Sequence, residues 1–237
     1  MENFFYKKVT LDDTELMEKI YRLRFEVYAR ECGFIKEEDY PNGIETDEYD
    51  HQACHFAALN SEGDVIGTLR VILPGQLPFP IEHHCPFLNF HKDAPPAHQY
   101  VEISRLVISK RLRRRKNDAL YYEPQIEDKK MRDQNNQEFL RRAKPMAFGL
   151  YREMYNESKR LGVTHWYSLM EKSLWLLLRL HGFKFECIGE EVDVYGPVRP
   201  YLGNVGKIEE EVRTKYPKIY KYFTEYAEIE PITEFQS

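Results

Sequence analysis

One run, Val101-Glu102-Ile103-Ser104-Arg105-Leu106-Val107-Ile108, limits the possible folds of this chain more than any other. Its Val and Ile content predicts a strand buried in a sheet. A charged side chain in such a strand is costly unless it is paired or faces a cavity. Two of them, Glu102 and Arg105, with Ser104 between, predict a strand that lines a polar pocket. The scaffold alternative is a buried Glu–Arg pair that fixes register. Three upstream stretches carry compatible chemistry: Arg24-Phe25-Glu26-Val27-Tyr28, Glu45-Thr46-Asp47-Glu48-Tyr49-Asp50 and Gly67-Thr68-Leu69-Arg70-Val71-Ile72-Leu73.

The strand needs a core around it, and the composition supplies one. A chain of 237 residues, 42% hydrophobic and 14% aromatic, is long and apolar enough for one large domain, 1–237. The net charge of −5 gives no global attraction to nucleic acid or anionic membrane. Cys32, Cys54, Cys85 and Cys187 form no C-x-x-C pair, which argues against a disulfide framework and a thiolate zinc site. His83, His84, Cys85, His91 and His98 match no standard ligand spacing, so no metal is expected. No leader-like or membrane-spanning apolar run is seen, which predicts a cytoplasmic protein without a transmembrane segment.

Periodicity predicts a helix from about residue 13 to 32, capped by Asp12 or Asp13, with Leu16, Ile20, Leu23 and Val27 on one stripe. At about 100° per residue Arg24 borders that stripe and Arg22 faces solvent, so Arg24 is the arginine able to enter a site. Residues 36–50 read as an acidic loop or short helix. Strands at 53–59 and 65–73 flank the hairpin turn Asn60-Ser61-Glu62-Gly63-Asp64. Residues 74–99 read as irregular, and the Glu102 strand follows. Beyond it come a basic segment at 109–144, expected to be a mobile insertion, a helix at 145–161 and a strand at 164–170. A helix at 171–181 and a last strand or strand pair at 183–195 complete the core. A helical extension fills about 206–237, with its helix from about 208 to 226. Locally paired strands followed by strand–helix–strand–helix–strand predict an α/β fold with a mixed, twisted central sheet flanked by helices.

The ordered set Arg24 with Tyr28, Phe34, Asp47 with Asp50, Leu69-Arg70, and Glu102-x-Ser104-Arg105 resembles the autoinducer (acyl-homoserine-lactone) synthases, members of the GNAT superfamily of acyltransferases. The resemblance covers about residues 15–110. The later residues Met170-Glu171-Lys172-Ser173-Leu174, Phe183, Gly189, Asp193 and Pro200-Tyr201-Leu202 are similar to the N-acyl amino acid synthases and to the acyltransferases associated with PEP-CTERM/exosortase systems. The resemblance implies a GNAT (acyl-CoA N-acyltransferase-like) fold in which two parallel strands, here 100–108 and 164–170, splay to admit a pantetheine arm. It also implies catalytic roles for Glu102, Ser104 and Arg105, with Glu102 as general base and backbone N–H groups near 104–106 as oxyanion donors. Arg24, Tyr28, Phe34, Asp47, Asp50 and Arg70 would then line the amine side, or hold the N-terminal cap to the sheet as a salt-bridge network.

Strand alternation sends Glu102 and Arg105 to opposite faces, so either they serve different sides of the sheet or a bulge re-aims one of them; the resemblance implies the bulge. The chain departs from the synthases in having Phe34 where Trp is usual, and Ile103 and Leu106 where Ser and Phe are usual. These departures weigh against S-adenosylmethionine as amine donor and favour an amino acid or similar small-molecule amine. No glycine lies between Gly75 and Gly149 to form a pyrophosphate-cradling loop. The cations Lys110, Arg111, Arg113, Arg114, Arg115 and Lys116 suit an acidic acyl carrier protein and its phosphopantetheine better. The expected co-substrate is therefore acyl-phosphopantetheine on a carrier protein rather than on coenzyme A, with no tightly bound cofactor. The expected activity is N-acyl transfer from acyl carrier protein to an amino acid. The alternatives are an acyl-homoserine-lactone synthase using S-adenosylmethionine, and a non-catalytic GNAT-like binding module. Nucleic acid is not an expected partner, because no aromatic residues interleave the basic run.

Overall fold

The computed structural model describes residues 4–85, 96–109 and 146–225. Eight strands make a mixed sheet: β1 (Phe5–Val9), β2 (Ala53–Leu59), β3 (Val65–Ile72), β4 (Tyr100–Ile108), β5 (His165–Met170), β6 (Glu186–Cys187), β7 (Val192–Asp193) and β8 (Pro197–Asn204). Their order is β1-β2-β3-β4-β5-β8-β6, with β7 paired to the start of β8. Neighbours run antiparallel except β4 and β5, which are parallel.

Period-two alternation divides the sheet into two faces. One face packs under α3 (Met146–Arg160), α4 (Lys172–Leu180), α5 (Val205–Lys215) and α6 (Pro217–Thr224), around Phe56, Leu69, Val101, Leu150, Trp166 and Tyr201. Close approach of α3 to β1 depends on Gly149, where a Cβ would stand 2.2 Å from the Tyr6 ring. The other face carries α1 (Thr14–Phe25), a π-helical turn (Glu26–Glu31) and the short α2 (Pro80–His84). Three apolar clusters sit on this second face, one of them Val9, Met17, Ile20 and Ala57 beneath α1. Leu23, Val27 and Val107 form the second, and Ile72, Phe79, Ile81, Tyr100, Tyr167 and Leu202 belong to the third. The polar residues of the Glu102 strand lie on this second face.

The expected helix at 13–32 starts as predicted, with the Asp13 carboxylate accepting from the Leu16 N–H at 3.2 Å, but it widens into the π-turn after Phe25. The first strand pair matches the expected bounds almost residue for residue. β1 was not expected from the sequence, because Phe5-Tyr6-Lys7-Lys8-Val9 is a short edge strand in which only Val9 is buried. Of the expected last strand or strand pair at 183–195, the pair forms, as the two-residue β6 and β7, but it is not the last: the long pairing partner of β5 is β8, which follows it. Pro197, Pro200 and Gly203 mask it, since all three score as strand breakers, whereas sheet context overrides propensity. The expected 208–226 helix is also two helices, broken at Tyr216 because Pro217 opens the second. The basic insertion, with Lys110, Arg111, Arg113, Arg114 and Arg115, and the tail beyond 225 lie outside the described residues. Among the described residues no helix is long and apolar enough to cross a membrane.

Candidate active site

β4 and β5 pair from Tyr100↔His165 to Ile103↔Ser168. Beyond that point β4 stays with β3 as far as Ile108, while β5 stays with β8 as far as Met170. The two parallel strands therefore part at Ile103 and Ser168, immediately after Glu102. Backbone groups that would have continued the parallel ladder face the gap between them.

On its other edge β4 contains the bulge that the resemblance implies. Thr68 pairs with Val107 and Arg70 with Ser104, so Leu69 alone opposes Arg105 and Leu106. Arg105 takes the extra position with φ of 50°, a left-handed conformation uncommon outside glycine. The consequence is geometric. Ser104 and Arg105 both address the face that Glu102 and Arg70 share, instead of alternating.

Around Arg105 the second face holds three guanidinium groups and three carboxylates. Arg24 donates through Nε to Glu45 and as a fork to Asp50, Nη1 to Oδ1 at 2.7 Å and Nη2 to Oδ2 at 3.2 Å. Arg70 donates Nε to Ser104 Oγ at 2.9 Å, and Nη1 to Asp47 and to Asp50 Oδ1, the latter at 2.8 Å. Arg105 Nη2 donates to Glu45 Oε1 and Asp47 Oδ2, both at 2.9 Å. The formal charges of the six cancel. Local sequence explains why the acids converge: Asp47 and Asp50 form a reciprocal capping box on the turn Glu48–Gln52, which ties both carboxylates to one turn of backbone. His55 adds a support beneath. A backbone carbonyl only accepts, so the His55 Nε2 at 3.0 Å from the Asp50 oxygen carries the proton, and burial favours the neutral ring.

Exposure separates the cluster into two layers. Arg24, Glu45, Asp50 and Arg70 are essentially buried, whereas the Arg105 and Asp47 side chains are 16% and 18% exposed. Burial opposes ionisation of Asp50, but Arg24 and Arg70 override it and hold its carboxyl well below the usual range. The outer layer continues into an aromatic rim. The Arg105 guanidinium lies 5.5 Å from the Tyr28 ring centre, and Phe34 folds back on Tyr28 by donating its N–H to the Tyr28 carbonyl at 2.7 Å. The ring centres of Tyr28 and Phe34 are 6.0 Å apart.

Glu102 stands apart from these ion pairs. It is 2% exposed, and its Oε2 accepts the Ile81 N–H at 2.9 Å from α2. Desolvation pushes its carboxyl up to about 8, because one N–H and more distant arginines offset little of the loss of water. A carboxyl that exchanges its proton near neutrality, at the mouth of the parted strands, is suited to general acid–base work.

The nine expected catalytic and amine-side residues thus occupy one face: Glu102 beside the ion-pair network, and the other eight within it or its rim. Glu45 joins two arginines to the network although nothing in the sequence pattern assigns it a role. Its acidic neighbourhood reads as a solvated loop until the tertiary fold places Arg24 and Arg105 on either side. Tyr195, which packs on the rim, carries no sequence signal either.

Known proteins share both a segment and the fold with this chain. Residues 23–123 match the family model described as an acetyltransferase (GNAT) domain. No curated protein matches the sequence significantly. Among solved structures, the AHL synthase LasI superposes with a TM-score of 0.59 at 15% identity, covering 86% of this chain and 91% of that one. The CoA-dependent acyl-homoserine lactone synthase MesI gives 0.59 at 19% identity, covering 89% and 94%. FeeM, an N-acyl amino acid synthase from uncultured soil microbes, gives 0.53 at 11% identity, covering 90% and 97%. At these identities the likeness is one of fold. The matched segment is that of a GNAT acetyltransferase domain, and the fold is the one these synthases share, as the residue resemblance implied.

Proposed function

We propose that this chain transfers a fatty acyl group from an acyl carrier protein thioester to the amine of an amino acid or similar acceptor. The observation that carries the reading is the bulge at Arg105. It gathers Glu102, Ser104, Arg105 and Arg70 on one face at the point where β4 and β5 part. A thioester arm in that gap presents its carbonyl to strand N–H groups near 104–106, which would donate hydrogen bonds to the tetrahedral oxyanion. The amine nitrogen attacks the carbonyl carbon, the C–N bond forms, and the C–S bond breaks with the electron pair leaving on sulfur. The Glu102 carboxylate accepts the proton shed by the amine, directly or through one water. Arg105, held by Glu45 and Asp47, offers a cation to the acceptor's carboxylate, and Tyr28 and Phe34 offer it apolar faces. Arg24, Asp50 and Arg70 form the buried support that fixes this outer layer.

The fold likeness to FeeM, an N-acyl amino acid synthase, supports the amino acid acceptor. The higher TM-scores of the lactone synthases favour a second reading, in which S-adenosylmethionine is the acceptor. Mass spectrometry of lipids from cells overexpressing the chain separates them, because an N-acyl amino acid and an acyl-homoserine lactone differ in mass and in alkaline lability. The proposal expects N-acyl amino acids in cells with the wild type and their loss in cells with Glu102→Gln. Acyl-homoserine lactone alone would establish the second reading, and no new N-acyl species would refute both.

A further inference from the structure

We propose that Tyr195 is a specificity-determining residue of the acceptor site, reaching over the rim from the opposite side of the parted strands. The inference rests on the acyl-transfer reading. Tyr195 belongs to the three-residue loop between β7 and β8, and β8 pairs with β5, on the far side of the gap from Arg105. Yet its ring lies on the near side. It stacks on Phe34 at 6.0 Å and 20° between planes, and on Tyr28 at 6.3 Å and 29°.

Two features show that core packing does not account for this placement. The side chain is 44% exposed and Phe34 38%, so the stack lies at the surface of the site, not in the core. The Tyr195 backbone also adopts φ of 57°, a genuine outlier for a bulky residue. The loop holds it there, with Val194 N–H donating to the Gly196 carbonyl and Gly196 N–H to Asp193 Oδ1, both at 3.0 Å. Strain of this kind persists where the surroundings fix it, and it clusters at ligand clamps.

The chemistry indicates what the ring selects. Arg105 sits against Tyr28 and supplies the cation for a carboxylate. The three packed rings next to it offer polarizable apolar faces but no further charge. An α-amino acid bound by its carboxylate at Arg105 would direct its side chain to the rings, so apolar side chains are preferred over none. Tyr195 enlarges that surface from the β7–β8 loop, which the β8–β5 pairing anchors on the far side of the gap.

Steady-state kinetics with a carrier-protein thioester and two acceptors, phenylalanine and glycine, test the inference in wild type, Tyr195→Phe and Tyr195→Asn. Asn tolerates the left-handed backbone, so this change removes the ring and keeps the loop. The KM for phenylalanine should rise about three- to tenfold in Tyr195→Asn, the range expected for a lost aromatic contact. The KM for glycine and both kcat values should stay near wild type, and Tyr195→Phe should behave as wild type. An unchanged ratio of the two KM values, or an equal fall in kcat with both acceptors, would overturn the inference. A wild type that acylates neither acceptor but acylates S-adenosylmethionine would also overturn it, and that arm identifies the failure as one of the underlying acceptor reading.

Discussion

Replacing Glu102 by Gln separates what this carboxyl does for the fold from what it does for chemistry. Free Glu titrates at 4.5, whereas burial here pushes the group up to about 8. Folding therefore favours the protonated form. Its contribution to stability is fully present below 4.5, declines as pH rises, and is lost once pH passes the folded value. Between those limits the wild type should lose up to about 1.4 kcal/mol per pH unit from this group, on the order of 3 kcal/mol by pH 7. Gln cannot ionise, yet its amide oxygen can still accept the Ile81 N–H, so Glu102→Gln should lack this slope. Urea unfolding of both proteins at pH 5, 6, 7 and 8 measures the difference directly, and other titrating groups cancel in the subtraction. The variant should be the more stable protein at pH 8 and the two should converge near pH 5. Turnover should move oppositely, rising with pH towards 8 in the wild type and falling by ~10²–10⁴ in the variant, as for a lost general base. Parallel stability curves would refute the burial argument, and near-wild-type turnover would remove Glu102 from proton transfer.

The ion-pair layers, the α3–β1 contact and the basic run of the sequence each carry a further expected outcome. Arg24→Ala leaves the buried Glu45 with Arg105 alone and the buried Asp50 with Arg70 alone, two carboxylates short of one guanidinium, and should cost about 3–5 kcal/mol in denaturant unfolding, whereas Arg105→Lys keeps a cation in the outer layer and should lower kcat/KM with little loss of stability. A stable Arg24→Ala protein would show that the inner layer is not a support. Gly149→Ala drives a Cβ into the Tyr6 ring and should lower the thermal midpoint by an amount equivalent to about 1–3 kcal/mol, with partial recovery when Tyr6→Ala is added; additive losses in the double variant would show that the two residues do not meet. Neutralising Arg113, Arg114 and Arg115 together should slow transfer from carrier protein at low salt as far as physiological salt slows the wild type. Equal kcat/KM for carrier-protein and CoA thioesters, with no salt effect, would remove the basic run from donor choice.

Much of the molecule is legible in the chain, and for local reasons. The hairpin 53–73, the helices opened by Asp13 and closed by Gly162, and the polar strand at 100–108 follow from periodicity, capping and turn residues within a few positions of one another. Alternation alone leaves open whether Glu102 and Arg105 serve opposite faces or a bulge re-aims one of them, and only the resemblance implies the bulge. What stays illegible is anything set between distant segments. β8 hides behind Pro197, Pro200 and Gly203 because its strand character comes from pairing with β5 across about thirty residues, not from propensity. Whether Arg24, Asp50 and Arg70 meet solvent or form a buried layer beneath Arg105 and Asp47 depends on which acids reach which guanidinium. Glu45 and Tyr195 look like ordinary loop residues in the chain. Each becomes part of the site only when the fold brings α1, the acidic turn, the bulged strand and the β7–β8 loop together, because burial and ion pairing are properties of that assembly and not of any one segment.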